Sequence, residues 1–187
     1  AADVLAQRGV MVQGKVNDTN SDLTVALIAE IEPLVSNFMA MRQAEGAALH
    51  DVINDQLNQI DALVSQATEA AEARKPFVAD QLTTAMQRVL QNVADVDPDR
   101  IAQELAMLAV KSDITEEIDR LVAHVAAARA LIVDPKPAGR KLDFLAQEFN
   151  REANTLCSKA GAAALTAIGL ELKAVIDQMR EQIQNVE

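Results

Sequence analysis

The sequence predicts an all-α protein, with a long antiparallel helical hairpin followed by a compact C-terminal helical bundle. Three observations carry that expectation. Apolar residues make up 50% of the 187 positions and recur at helical spacing for most of the length. Aromatic residues are nearly absent, with no Trp, no Tyr and only Phe38, Phe77, Phe144 and Phe149, so aliphatic side chains and Ala must build the core. Gly and Pro are scarce, which favours long, Ala-packed helices. A chain of this size can bury a sizeable core.

Residues 1–20 read as an extended segment and 21–95 as the hairpin. A helical stretch starts near Ser21 or Asp22 and runs towards Ala73. Pro33 either kinks it or starts it afresh, because Pro is well tolerated only in a first turn. Lys75-Pro76 restarts a helix to about Asn92, so that 22–72 and 76–92 form the two arms. The bundle occupies 96–187. Asp97-Pro98 is an N-cap followed by Pro at the first helical position, and opens a helix to about Lys111. Asp113 caps the next helix, with Glu116 as its capping-box partner and a core stripe of Ile114, Ile118, Leu121, Val122, Val125 and Ile132. Asp134-Pro135-Lys136-Pro137-Ala138-Gly139 breaks the chain before a helix over 139–159. A softer join at Ala160-Gly161 precedes a last helix from about Ala163 to Gln184.

The net charge of −11 excludes a generally basic nucleic-acid binder, but the charge is unevenly spread. Residues 1–135 hold ten Lys/Arg against twenty-one Asp/Glu, whereas 136–187 hold seven of each. Within 136–159 there are five basic and three acidic residues, so any phosphate contact is expected to be local to that segment. The single Cys157 rules out an internal disulfide framework and suits a reducing compartment. No 18-residue apolar run and no signal peptide point to a membrane or to export, so the expected location is cytoplasmic.

The helix over 139–159 is crowded with polar groups. Leu142, Leu145, Phe149, Ala153 and Leu156 form one narrow apolar stripe. Glu148 and Glu152 sit one turn apart beside it, in line with Lys141 and Lys159. Asp143, Gln147, Asn150 and Asn154 make a second row, with Arg140, Arg151 and Ser158 between the two. Asn, Thr and Ser are poor helix formers, so their placement suggests work other than solubility. On the preceding helix, Asp113, Glu117, Arg120 and His124 share one face. Divalent Mg²⁺ or Mn²⁺ takes carboxylate oxygens, so two such helices facing each other can hold an ion on Glu148, Glu152 and Glu117. The ion would activate water against a phosphodiester, with His124 or Glu117 as the proton carrier. Bland readings stand beside these. Glu116 with Arg120 is an ordinary helix ion pair, and Glu148 with Glu152 can belong to a solvated lattice. His124 can be a partly buried polar residue, His50 reads as structural or surface, and Asn150 and Asn154 either cross-link helices or contact RNA.

Gly139–Ala160, read as GRKLDFLAQEFNREANTLCSKA, and the C-terminal LKAVIDQMREQIQNVE closely resemble the signature of the YicC family of bacterial endoribonucleases. The resemblance continues upstream in Asp113–Leu121 with His124 and in Met41–Gly46, and covers roughly residues 40 to 187. Cys157, where small residues are usual, and the Ala- and Gly-rich run from Gly161 to Ile168 depart from the pattern. The resemblance implies metal-dependent endoribonuclease activity on RNA and a ring-like homo-oligomer, a hexamer. It also implies a preceding N-terminal domain, of which Asp3–Met11 would be the strand-like exit. Arg140, Lys141, Arg151, Asn154, Lys159 and Arg42 are the expected RNA contacts. The alternative is a non-catalytic helical module that binds RNA or scaffolds RNA-processing partners.

Overall fold

A computed structural model describes residues 2–5, 7, 21–92 and 98–186. Its elements are α1 (Ala2–Leu5), α2 (Ser21–Asn92), α3 (Pro98–Lys111), α4 (Thr115–Val133), α5 (Gly139–Lys159) and α6 (Ala163–Ile183). No strand occurs among the described residues, and the all-helical class and the C-terminal bundle are as expected. Asp3–Leu5, expected to be strand-like, form part of the single turn α1, because so short a segment follows local backbone preference when nothing pairs with it. The rest of that expected exit, 8–11, lies outside the described residues.

The chain divides into two units, 1–44 and 45–187. In the first, Leu23, Leu27, Ile28, Ile31, Leu34, Phe38 and Met39 are all exposed. An 18-residue window of α2 reaches a mean hydropathy of 1.4 and is long and apolar enough to cross a membrane, with none of it buried. The expectation that no 18-residue apolar run occurs is corrected by this window, in which at most two charged residues interrupt the apolar ones.

The expected break at Lys75-Pro76 is corrected: α2 is one helix of 72 residues that passes through both Pro33 and Pro76. Each Pro removes one helical hydrogen bond, to the carbonyl four residues earlier, at a cost of about 3 kcal/mol. Ala29, Pro33, Glu72 and Pro76 are all exposed, so water can reach the freed carbonyls. The arms 22–72 and 76–92 therefore do not turn back on each other. The chain does return to Arg74 at Ser112, whose carbonyl accepts from the Arg74 guanidinium.

The second unit is built around α4, α5 and α6, joined in succession by Asp134–Ala138 and Ala160–Ala162. The links are short, as antiparallel neighbours require. In the first link Asp134 Oδ1 accepts the Lys136 N–H at 3.0 Å, and in the second Gly161 takes φ 58°, a left-handed helix stop that suits Gly. Phe149 is fully buried, packed in a core with Leu121, Leu142, Leu156, Leu172, Ile176 and Met179. α2 contributes Ile53, Leu57, Ile60, Val64 and Ala67, a helical stripe on its middle third. Of the expected α4 stripe, Ile114, Ile118, Leu121 and Val125 are buried, but Val122 is 51% exposed. The inward positions run 114, 118, 121, 125, 128, and Val122 lies about 100° away from Leu121. Arg74 ties this unit together. Its Nη1 donates to the carbonyls of Lys159, at 3.1 Å, and Ala160, and its Nη2 to that of Ser112. It thereby satisfies carbonyls that the ends of α5 and α3 leave without helical partners.

α5 and α6 pack closely at buried Gly169, where an added Cβ would stand 2.5 Å from Cys157 Sγ and 3.2 Å from Leu156 Cδ2. Helix propensity alone favours Ala over Gly by about 1 kcal/mol. We expect Gly169→Ala nevertheless to destabilise the protein by about 1–3 kcal/mol, the usual cost of overpacking. Adding Cys157→Ala should reverse the sign, as thermal unfolding will read. A Gly169→Ala variant more stable than the parent would show that the two helices separate freely.

Candidate functional site

α4 and α5 run side by side along one seam, which the sequence reading expected to carry the chemistry. At one end, Lys159 Nζ donates to Glu117 Oε1 at 2.8 Å and to the Asp113 carbonyl at 3.0 Å. In the middle, Arg120 Nη1 reaches Glu152 Oε1 at 3.2 Å while its Nη2 pairs with Glu116. Further along, the His124 ring meets Phe149 edge-on, with centroids 5.5 Å apart and an interplanar angle of 69°. Glu117 and Glu152 are each only 5% exposed, and burial of carboxylates demands such cationic partners. Glu152 raises the Arg120 guanidinium further above its ordinary pKa, through the hydrogen bond first. Two polar atoms in this seam are buried and unpartnered: Glu117 Oε2 and His124 Nε2.

Asp113 caps α4 in a different register from the expected one. Ile114 holds the N-cap position, while Asp113 Oδ1 accepts the Thr115 N–H at 3.0 Å and its hydroxyl at 2.7 Å. These two bonds, the hydroxyl first, hold the Asp113 carboxyl below the usual carboxylate range. Glu116 is not its capping-box partner, since the Glu116 carboxylate is drawn to Arg120.

The seam thus gathers Glu117, His124, Glu152 and Lys159 of the expected set. Glu148 is only half-buried and pairs within α5, with Arg151 Nη1 at 3.0 Å. Glu148, Glu152 and Glu117 do not form one cluster. Among the described residues no group of three or more His, Cys, Asp or Glu side chains is placed to hold a metal ion. Arg140, Lys141, Arg151 and Asn154 are exposed on α5. Lys159, expected to contact RNA, is instead turned to Glu117, because a buried carboxylate has the stronger claim on it. Asn150 is a cross-link, donating to Asp177 Oδ1 of α6 at 2.9 Å. Arg42, in the first unit, has its guanidinium 5.8 Å from the Phe38 ring centroid. His50 is on the surface beside Asp51 and Asn54. A separate groove is lined by Thr68, Arg74, Lys75, Leu82, Asp113 and Asp119, and none of the expected catalytic or metal residues faces it.

Sequence reasoning missed two roles here. Arg120 was assigned to Glu116, yet it also neutralises Glu152, a partner 32 positions away that only antiparallel packing supplies. Arg74 gave no signal, because its acceptors are main-chain carbonyls.

A family model described as "Endoribonuclease YicC-like, C-terminal" matches residues 65–187, two thirds of the chain and all of α3 to α6. The chain belongs to the YicC-like endoribonuclease family. It is 40% identical over 189 residues to the "Probable endoribonuclease YicC" of Haemophilus influenzae, covering 99% of this chain and 63% of that protein. A second protein of the same description, from Clostridioides difficile, is 33% identical over 174 residues, covering 91% of this chain and 58% of that one. The chain therefore spans less than two thirds of the length of either relative. The whole α4–α5 seam lies inside the matched YicC-like region.

Proposed function

We propose that this chain is the helical part of an endoribonuclease, a hydrolase that cuts RNA phosphodiester bonds, and that its chemistry belongs to the α4–α5 seam. The observation that supports this reading is the company kept there, inside the family-matched region, by an imidazole, two buried carboxylates and two cations. His124 Nε2 has no protein partner, which leaves the imidazole free to serve as the proton carrier. Arg120 and Lys159 place positive charge where a phosphoryl transition state gathers negative charge. Arg140, Lys141, Arg151 and Asn154 offer exposed contacts to the RNA backbone.

The resemblance also implies a divalent ion, Mn²⁺ or Mg²⁺, on Glu148, Glu152 and Glu117. Within one chain these residues do not fit it, because both buried carboxylates are already engaged by cations and the third points elsewhere. No step above passes through that ion. Metal dependence remains part of the proposal and is tested directly, by RNA cleavage with the intact protein after chelation and after adding back Mn²⁺. Cleavage should vanish on chelation and return with the ion. Cleavage that persists in chelator would remove the ion from the reading.

The same neutralised carboxylates favour a second reading, a non-catalytic helical module that binds RNA or scaffolds RNA-processing partners. Absence of cleavage under every ionic condition would select it. In either case we propose a cytoplasmic homo-oligomer, a hexamer by resemblance, in which other copies cover the apolar residues Leu23–Met39.

A further inference from the structure

Phe144 is 64% exposed on the most polar helix of the chain, while Phe149, five residues on, is fully buried. A single exposed apolar residue needs no explanation, so its neighbours decide what it means. At about 100° per residue, Arg140, Phe144, Arg151 and Asn154 fall within an arc of about 80° on one face of α5. All four are exposed. The exposed apolar residues of α2 sit among other apolar residues, as a face awaiting a protein partner does. Phe144 instead shares its face with two guanidinium groups and an amide, with Arg151 paired to Glu148 beside it. It also lies in 136–159, where five basic residues face three acidic ones in a chain that is otherwise strongly acidic.

An aromatic ring flanked by cations suits single-stranded nucleic acid. The ring face accepts an unpaired base, and the cations take the phosphates on either side. A duplex cannot use it, since both faces of each base are already stacked. We propose that Phe144 is a stacking platform for an unpaired base of single-stranded RNA, with Arg140 and Arg151 engaging the flanking phosphates. This rests on the RNA-cleaving reading above and deepens it by naming the strand state of the substrate. Glu148, one turn beyond Phe144 and paired with Arg151, leads from this face towards Glu152 and the α4–α5 seam.

The test is the affinity of the intact protein for a labelled single-stranded oligoribonucleotide and for an RNA duplex, measured by anisotropy across a salt series. Phe144→Leu should weaken single-strand binding by about tenfold, as one lost base–aromatic stack does, and leave the salt slope and duplex binding unchanged. Phe144→Trp should retain parental affinity. Arg140→Ala with Arg151→Ala should flatten the slope by about 0.7 per lost contact. Parental single-strand affinity in Phe144→Leu overturns the platform and leaves the RNA reading intact. The same affinity with an altered oligomeric mass also overturns it, and makes the face an interface between copies. A parental protein that binds no RNA at any salt overturns both.

Discussion

Replacing His124 by Ala in the intact protein is expected to slow RNA cleavage by about a hundredfold or more, the usual effect of losing a general acid or base. The expectation comes from geometry. The imidazole is pinned edge-on against Phe149, and its buried Nε2 has no hydrogen-bond partner within the protein. A purely structural histidine would satisfy that nitrogen, since an unpaired buried polar atom costs about 1–3 kcal/mol. His124→Ala also trims a packing contact with Phe149, so helicity and unfolding temperature must be followed alongside the rate. His124→Gln, which keeps most of the volume, should be as slow as the Ala variant. Cleavage by both at the parental rate would move the proton carrier out of this seam.

Lys159→Met is expected to be the most destabilising single change in the seam, at about 3 kcal/mol. The Glu117 side chain is 7% exposed, and one of its oxygens already lacks a partner. Taking away Lys159 leaves a buried carboxylate with nothing to balance it, which is far costlier than losing the pair itself. For a chain of this length each kcal/mol moves the unfolding temperature by about 2–4 °C, so the drop should be readily measured. Pairing it with Glu117→Leu should recover most of the loss, because the burden is the unpaired charge. A Lys159→Met protein as stable as the parent would show that Glu117 reaches water or another cation.

These expectations show how far the sequence was legible. Periodicity and local signals placed α5 and α6 almost to the residue, because Gly139 after two prolines opens α5 and Gly161 separates its end from the start of α6. They misplaced the turn at Pro76, because a proline's cost depends on whether its neighbouring carbonyl can reach water, which no local pattern records. The helical face shared by Asp113, Glu117, Arg120 and His124 was legible, and it does line the α4–α5 seam. The partners across that seam were not. That Glu152 meets the Arg120 guanidinium depends on the relative height of two helices, which no local pattern records.

Arg74 has a mechanical consequence. One guanidinium on α2 grips the last carbonyls of both α3 and α5, and Lys159 sits at the second grip with its ammonium on Glu117. The long helix is therefore not a passive strut beside the seam. A twist of α2 about its axis would pull on main-chain atoms at two helix ends at once, and through Lys159 on a carboxylate of the seam itself. The crosspiece therefore ties the ends of α3 and α5 to one side chain of α2, three hydrogen bonds from a single guanidinium.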